Sequence, residues 1–329
     1  PLEPSIQDGY DDLMAGLAAL HFTGGELLER GDTVIARADP QWVAWLNTGQ
    51  NEGVGLYAAP IEVGPRLQKE LFAKKTAVVL TSATLRTGTD FSFIKSRLGL
   101  EKPRELALDS TFPYQEAALL LLPQDLPEPQ HPDHGRMLET ALTDLCRASR
   151  GRALVLFTSY SALQTAHRAL TRNLANDGLN VLAQGASGSI PRMLERLRRD
   201  SKTVILGTSS FWEGVDVVGE ALSLLVITRL PFTVPSDPVF AARSELFDDP
   251  FRQYAVPQAV LRFRQGFGRL IRSKTDRGVC VVLDKRVGGK SYGNSFLEPL
   301  PPVKVERCLL REAPRHIENW LNKGAPATR

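Results

Sequence analysis

Cysteine is scarce in this chain: 329 residues hold three, Cys146, Cys280 and Cys308, far apart and without C-x-x-C spacing. That argues against a disulfide framework and against a zinc site, and fits buried, reduced thiols in a cytosolic protein. Long apolar runs are also lacking, none approaching the roughly 20 residues a membrane helix needs. The opening residues, PLEPSIQDGYDD, have neither the basic start nor the apolar core of a signal peptide and read as the middle of a helical region. Charge of one sign is missing too. Forty Lys and Arg stand against 37 Asp and Glu, a net +3, so any nucleic-acid contact must come from local clustering. What remains, 43% hydrophobic and 23% charged residues, is ordinary globular composition with length for a large core and roughly two domains.

From about residue 60, apolar runs alternate with amphipathic stretches. The runs TAVVL (76–80), AALLLL (117–122), ALVLF (153–157), TVILG (203–207), LSLLVIT (222–228) and GVCVVL (278–283) are apolar throughout, as strands covered on both faces are. Helices are expected at 136–149, 160–175, 190–200 and 254–272, the third started by Ser189 and Pro191. Strand–helix alternation predicts an α/β fold with a parallel sheet flanked by helices. Residues 1–40 differ, with helical stretches at Tyr10–Leu20 and Gly25–Glu29 and a strand at Thr33–Ala36. WVAWL (42–46) and GLYAAPIEV (55–63) read as a hairpin leading into the sheet. The Pro-rich segments at 122–134 and 229–238 are loops, and residues after Gly324 read as a disordered tail.

The most informative segment is QAVLRFRQGFGRLIRSKTDRG (258–278). At about 100° per residue, Gln258, Arg262, Gln265, Arg269 and Arg272 fall on one stripe, opposite Val260, Phe263, Phe267 and Ile271. A charge run is ordinarily a solvated face. Gly266 and Gly268, however, each cost roughly 1 kcal/mol in a helix, which makes sense where a backbone or phosphate must approach closely. Forked, permanently charged guanidinium groups aimed one way suit a polyphosphate.

Gln265, Gly268, Arg269 and Arg272 resemble motif VI of superfamily-two helicases, and the wording RQGFGRLIRSKTDRGVCVVLDKR resembles the DinG-type, XPD-like DNA helicases. TSATL (81–85) is similar to motif III, VLFTSYSAL (155–163) to motif IV and GTSSFWEGVDVVG (207–219) to motif V, all in order. The resemblance covers roughly residues 40–310. It implies a RecA-like second motor domain over 41–323, with 1–40 a small α-rich remnant of an inserted arch region and 324–329 the tail. It also implies ATP bound between two lobes, with Arg272 as main arginine finger, Arg269 as second and Gln265 beside them. Glu213, Gly214, Asp216 and Gly268 would face the nucleotide. Thr158, Ser159, Thr208, Ser209, Ser210 and Trp212 would face single-stranded DNA, and Ser82, Ala83 and Thr84 would link ATP state to DNA grip.

Each role has a plainer alternative. Ser159 can cap the following helix, Phe211 and Trp212 can be core anchors, the TSATL hydroxyls can bond locally, and Arg262 can be a phosphate neighbour or a surface residue. VGGKS (287–291) looks like the end of a P-loop, but Asp284 holds the first glycine position and no helical pattern follows. Residues 1–75 contain no lysine in a Gly-rich turn and no D-E-x-H. The P-loop, the Mg²⁺-binding acidic motif and any iron–sulfur cluster of the family are therefore expected from an N-terminal half outside this chain, and no metal is expected within it. By resemblance the parent is a 5′→3′ helicase, a monomer acting on single-stranded DNA, forked duplex or R-loops in repair, cytoplasmic and nucleoid-associated, with no membrane partner. A competing reading is a non-catalytic module that holds nucleic acid or a protein.

Overall fold

The computed structural model describes residues 4–32, 39–49, 53–88, 90–212 and 222–323. The chain divides into two compact units, the first taking in residues 1–77, 97–99 and 234–248, the second the remainder.

In the first unit one helix runs Pro4–Gly31, where two shorter ones were expected. The expected strand at Thr33–Ala36 lies outside the described residues. The hairpin is present as β1 (Trp42–Gly49) and β2 (Gly53–Pro60), antiparallel from Trp42↔Pro60 to Gly49↔Gly53. Trp45 stacks on Tyr57, directly opposite, at 5.5 Å, the kind of cross-strand aromatic pair that fixes register. The hairpin forms its own two-stranded sheet rather than joining the larger one. Arg243 donates to the carbonyls of Ile61 at 2.9 Å and Pro60 at 3.3 Å.

The second unit is built on a seven-stranded parallel sheet. Its strands are β3 (Ala118–Pro123), β4 (Ala153–Leu156), β5 (Asn180–Ala183), β6 (Thr203–Gly207), β7 (Leu224–Ile227), β8 (Gly278–Val282) and β9 (Lys304–Cys308). They lie in the order β5-β6-β4-β7-β8-β3-β9. Because side chains alternate along a strand, the sheet feeds two cores. Leu120, Leu122, Leu154, Leu156, Ile205 and Ile227 pack with Val260, Phe263 and Phe267 of the Val256–Phe267 helix on one face. Leu119, Leu121, Val155, Val204 and Val281 pack on the other with the His134–Ser149, Tyr160–Asn173 and Ala313–Asn322 helices. This is the RecA-like three-layer arrangement. Cys146, Cys280 and Cys308 are buried and unbridged, and burial pushes the Cys146 thiol up to about 12.

Three expectations need correction. TAVVL (76–80) joins neither sheet and Val79 is 86% exposed; β propensity without a pairing partner does not make a strand. β5 and β9 were not expected, because they are the sheet's two edges and edge strands are not covered on both faces. The 254–272 helix stops at Phe267, so the stripe reaching Arg269 and Arg272 is broken, and both residues lie in the turn beyond. No helix among the described residues is long and apolar enough to cross a membrane.

Candidate functional site

In an open parallel sheet the loops after the strand carboxyl ends face the ligand, above all where strand order reverses. Here β6 and β5 extend one way from β4 while β7 and β8 extend the other. Thr158 follows β4, Gln184 follows β5 and Thr208 follows β6, so three polar loop starts stand side by side. Gln184, which the sequence reading missed, fastens two of them. Its Oε1 accepts from the backbone N–H of Thr208 at 2.8 Å and from the Thr208 hydroxyl at 3.0 Å, and its Nε2 lies 3.4 Å from the Ser210 oxygen.

Ser159 caps the Tyr160–Asn173 helix, accepting from Ala162 N at 3.3 Å, with its hydroxyl 2.8 Å from that of Ser161. Thr158 and Thr208 are half-buried, and Ser209 and Ser210 are exposed. Trp212 faces inward. It is 3% exposed, its indole N–H donates to Phe157 O at 3.1 Å, and a Cβ added to Gly266 would stand 2.7 Å from its ring. Its position is that of the core anchor, and Phe211 beside it is fully buried. Glu213, Gly214 and Asp216 lie outside the described residues.

The motif VI turn is set by a short run of hydrogen bonds. Gly268 ends the helix, its N–H on Arg264 O at 2.9 Å, and Arg269 N follows onto Gly266 O at 3.1 Å. Arg269 folds back, 8% exposed, and donates to Trp212 O at 3.0 Å. Motifs V and VI are thereby joined through a guanidinium. Asp276, a second residue missed, accepts from Arg272 N at 2.7 Å, Ser273 N at 2.8 Å and the Ser273 hydroxyl at 2.6 Å. The Ser-x-x-Asp spacing from Ser273 to Asp276, in a turn with Ser and Thr, was its available signal. The Gln265 Oε1 is buried with no hydrogen-bond partner among the described residues. Arg262 donates to the Thr233 hydroxyl at 2.7 Å, which donates to Gln258 at 2.9 Å, so these two join a local network with the Pro-rich loop.

Arg272 is exposed and lines a cavity of about 840 Å³ together with Ala83, Thr84, Arg264 and Gly268. Arg269 and Gln265 are not in that lining. Ser82 lines a smaller neighbour of about 150 Å³. The Ser82 and Thr84 hydroxyls are 3.3 Å apart, and Thr84 N donates to Ser82 Oγ at 3.2 Å, a local turn whose carbonyls are gripped by Arg264. Tyr114 stacks on Phe267 with centroids 6.0 Å apart. Burial raises its hydroxyl pKa, an effect that the nearby Arg272 partly offsets.

The glycines of this helix turn have different occupations. Gly266 admits the Trp212 ring, where close approach of a backbone or a phosphate was expected. A Cβ at Gly268 would meet only the Arg264 and Gln265 carbonyls, at 3.3 and 3.6 Å. VGGKS begins inside a short helical turn, Arg286–Gly289. Just before it, Asp284 pairs with Arg286 and accepts from Leu230 N.

A family model described as the helicase C-terminal domain matches residues 142–303. The chain is 38% identical over 290 residues to the 3′-5′ exonuclease DinG of Bacillus subtilis, a match covering 84% of this chain and 31% of that protein. It is 40% identical over 266 residues to the ATP-dependent DNA helicase YoaA of Haemophilus influenzae, covering 79% of this chain and 41% of that one. A solved apo structure of XPD superposes with a TM-score of 0.58 at 18% identity, over 77% of this chain and 53% of that one, a likeness of fold. The chain thus spans less than half the length of these curated relatives. With its RecA-like parallel sheet and its ordered motif series, the chain carries a helicase C-terminal domain over residues 142–303 and is similar in sequence to the DinG-type helicases.

Proposed function

We propose that this chain is the second motor half of an ATP-dependent DNA helicase, supplying arginine fingers and a single-stranded DNA surface but not the P-loop. The observation that carries the reading is the convergence of Ala83, Thr84, Gly268 and Arg272 on one cavity of about 840 Å³. The residues fit a polyphosphate. Arg272 brings a permanently charged, forked donor whose backbone is fixed by Asp276, and Gly268 and Arg264 stand in the same wall.

ATP with Mg²⁺ brings the transferable phosphoryl group, its main cradle belonging to sequence outside this chain. Arg272 stabilises negative charge developing on that group and Arg269 assists, a role that can be worth roughly 10³–10⁵ in rate. Glu213, Gly214 and Asp216 face the same nucleotide. Thr158, Ser159, Thr208, Ser209 and Ser210 hold successive phosphates of the tracked strand, helped by the helix N-terminus that Ser159 caps. Ser82, Ala83 and Thr84 relay between the two. In this reading residues 1–40 are the returning edge of an arch domain. The parent moves 5′→3′ as a monomer, opening forks or R-loops during repair at the nucleoid, and any iron–sulfur cluster sits in its N-terminal half.

The test uses the protein in its full natural length. Arg272→Ala should cut DNA-stimulated ATP turnover by about 10³-fold or more while single-stranded DNA affinity stays within a few-fold. That affinity should fall steeply with added salt, because phosphate neutralisation releases counterions. Undiminished turnover would overturn the finger assignment, and salt-insensitive or absent DNA binding would favour a protein-binding module.

A further inference from the structure

Arg264 sits one residue before Gln265 in the last turn of the Val256–Phe267 helix. Its backbone carbonyl receives the N–H of Gly268 at 2.9 Å, so it belongs to the same hydrogen-bonded turn that releases the chain toward Arg269 and Arg272. Its side chain goes elsewhere. Nη1 donates to the carbonyl of Arg86 and Nη2 to that of Ala83 at 3.3 Å, gripping the chain in the middle of TSATL and one residue past its end. The guanidinium also stands in the wall of both cavities, the one holding Arg272 and the one holding Ser82.

The choice of partners is unusual for a half-buried cation. No carboxylate pairs with Arg264 among the described residues, and Arg86 presents a like charge. Burial, and after it Arg86, lower its pKa. The charge is met by carbonyl dipoles, which hold a forked donor in a defined direction without the deep well of a buried ion pair. The segment so held has little else to fix it: it lies in no sheet, and residues 81–83 are exposed. Without the guanidinium, the side-chain hydrogen bonds left to the turn among the described residues are those between Ser82 and Thr84.

We propose that Arg264 is a positioning residue that ties the Ala83–Arg86 segment to the finger-bearing turn, so that a shift of one moves the other. The proposal rests on the motor reading above. It assigns to Arg264 the transmission of the nucleotide state, whereas Arg272 acts on the nucleotide itself.

The experiment compares Arg264→Lys and Arg264→Gln with the unaltered full-length protein. Lysine keeps the charge and most of the stem but cannot fork to two carbonyls; glutamine removes the charge. Hydrogen exchange is followed over residues 80–88, and ATP consumption is measured alongside duplex unwinding. Expected are at least tenfold faster exchange in that segment for both variants and at least a fivefold loss of base pairs opened per ATP consumed, whatever the change in turnover itself. Unchanged exchange would overturn the proposal, and so would turnover and unwinding falling in proportion. An Arg272→Ala control separates the two readings. If that control abolishes turnover while the Arg264 variants stay fully coupled, this proposal alone fails; if the control keeps turnover, the motor reading fails first.

Discussion

The carboxylate of Asp276 accepts the backbone N–H of Arg272 at 2.7 Å. The residue that points into the large cavity is thus aimed by its main chain, from four residues downstream. Asp276 is buried and also holds Ser273 through its N–H and hydroxyl. Asp276→Ala leaves these donors without an acceptor, at a cost of about 1–3 kcal/mol readable by urea denaturation. In the full-length protein the same change should lower ATP kcat at least tenfold with little change in KM. Normal turnover in a folded variant would show that this aim does not matter.

The two glycines separate by substitution. Gly266→Ala drives a methyl into the Trp212 ring, 2.7 Å away and rigid, and should destabilise by about 1–3 kcal/mol, as overpacking does. Gly268→Ala meets only carbonyls at 3.3 Å or more and should leave the melting temperature within a few degrees. Any loss of turnover in Gly268→Ala then reports crowding of the cavity. Thermal melts that ranked the two the other way would refute this assignment.

Trp212 is separable as well. Trp212→Phe removes the indole N–H that donates to Phe157 O and keeps most of the ring, so it should cost on the order of 1 kcal/mol plus a small cavity term. Affinity for single-stranded DNA should stay within twofold, since the ring is nearly inaccessible. A tenfold loss in a variant of undiminished stability would mean that the ring swings out to meet a base.

Asp284 gives a pH signature. Burial alone would raise its pKa, but the Arg286 hydrogen bond, the Leu230 N–H and the Arg286 charge outweigh that and hold it below the usual carboxylate value. A group depressed in the folded state contributes stability that is full above its unfolded pKa, near 4, and disappears as pH falls through the lower folded value. Asp284→Asn should therefore cost about 2–3 kcal/mol at pH 7 and flatten the acid limb of stability below about pH 4. An unchanged acid limb in urea titrations would exclude Asp284 as its source.

The sequence made the sheet's interior legible because β3, β4, β6, β7 and β8 are buried along their whole length, which leaves a run of apolar letters. It concealed β5 and β9, whose edge positions permit Asn180, Lys304 and Glu306. The motif residues could be found by spacing, but their directions could not. Helical periodicity carried Arg269 and Arg272 onto one stripe, while capping at Gly268 and the pull of Asp276 send them apart. Gln184 and Asp276 escaped because their importance lies in whose backbone they hold, and sequence spacing is silent on contacts between loops.

The run at 76–80 has a practical consequence. Thr76, Val78 and Val79 favour strands, and with Val79 86% exposed and Val78 and Leu80 also open to solvent the run forms an adhesive strip ready to recruit an identical strip from another molecule. Lys74 and Lys75 on its flank act as gatekeepers by charge repulsion. At high concentration this strip, rather than any frailty of the RecA-like core, should set the solubility limit, and Val79→Lys should raise it while leaving the unfolding midpoint where it was.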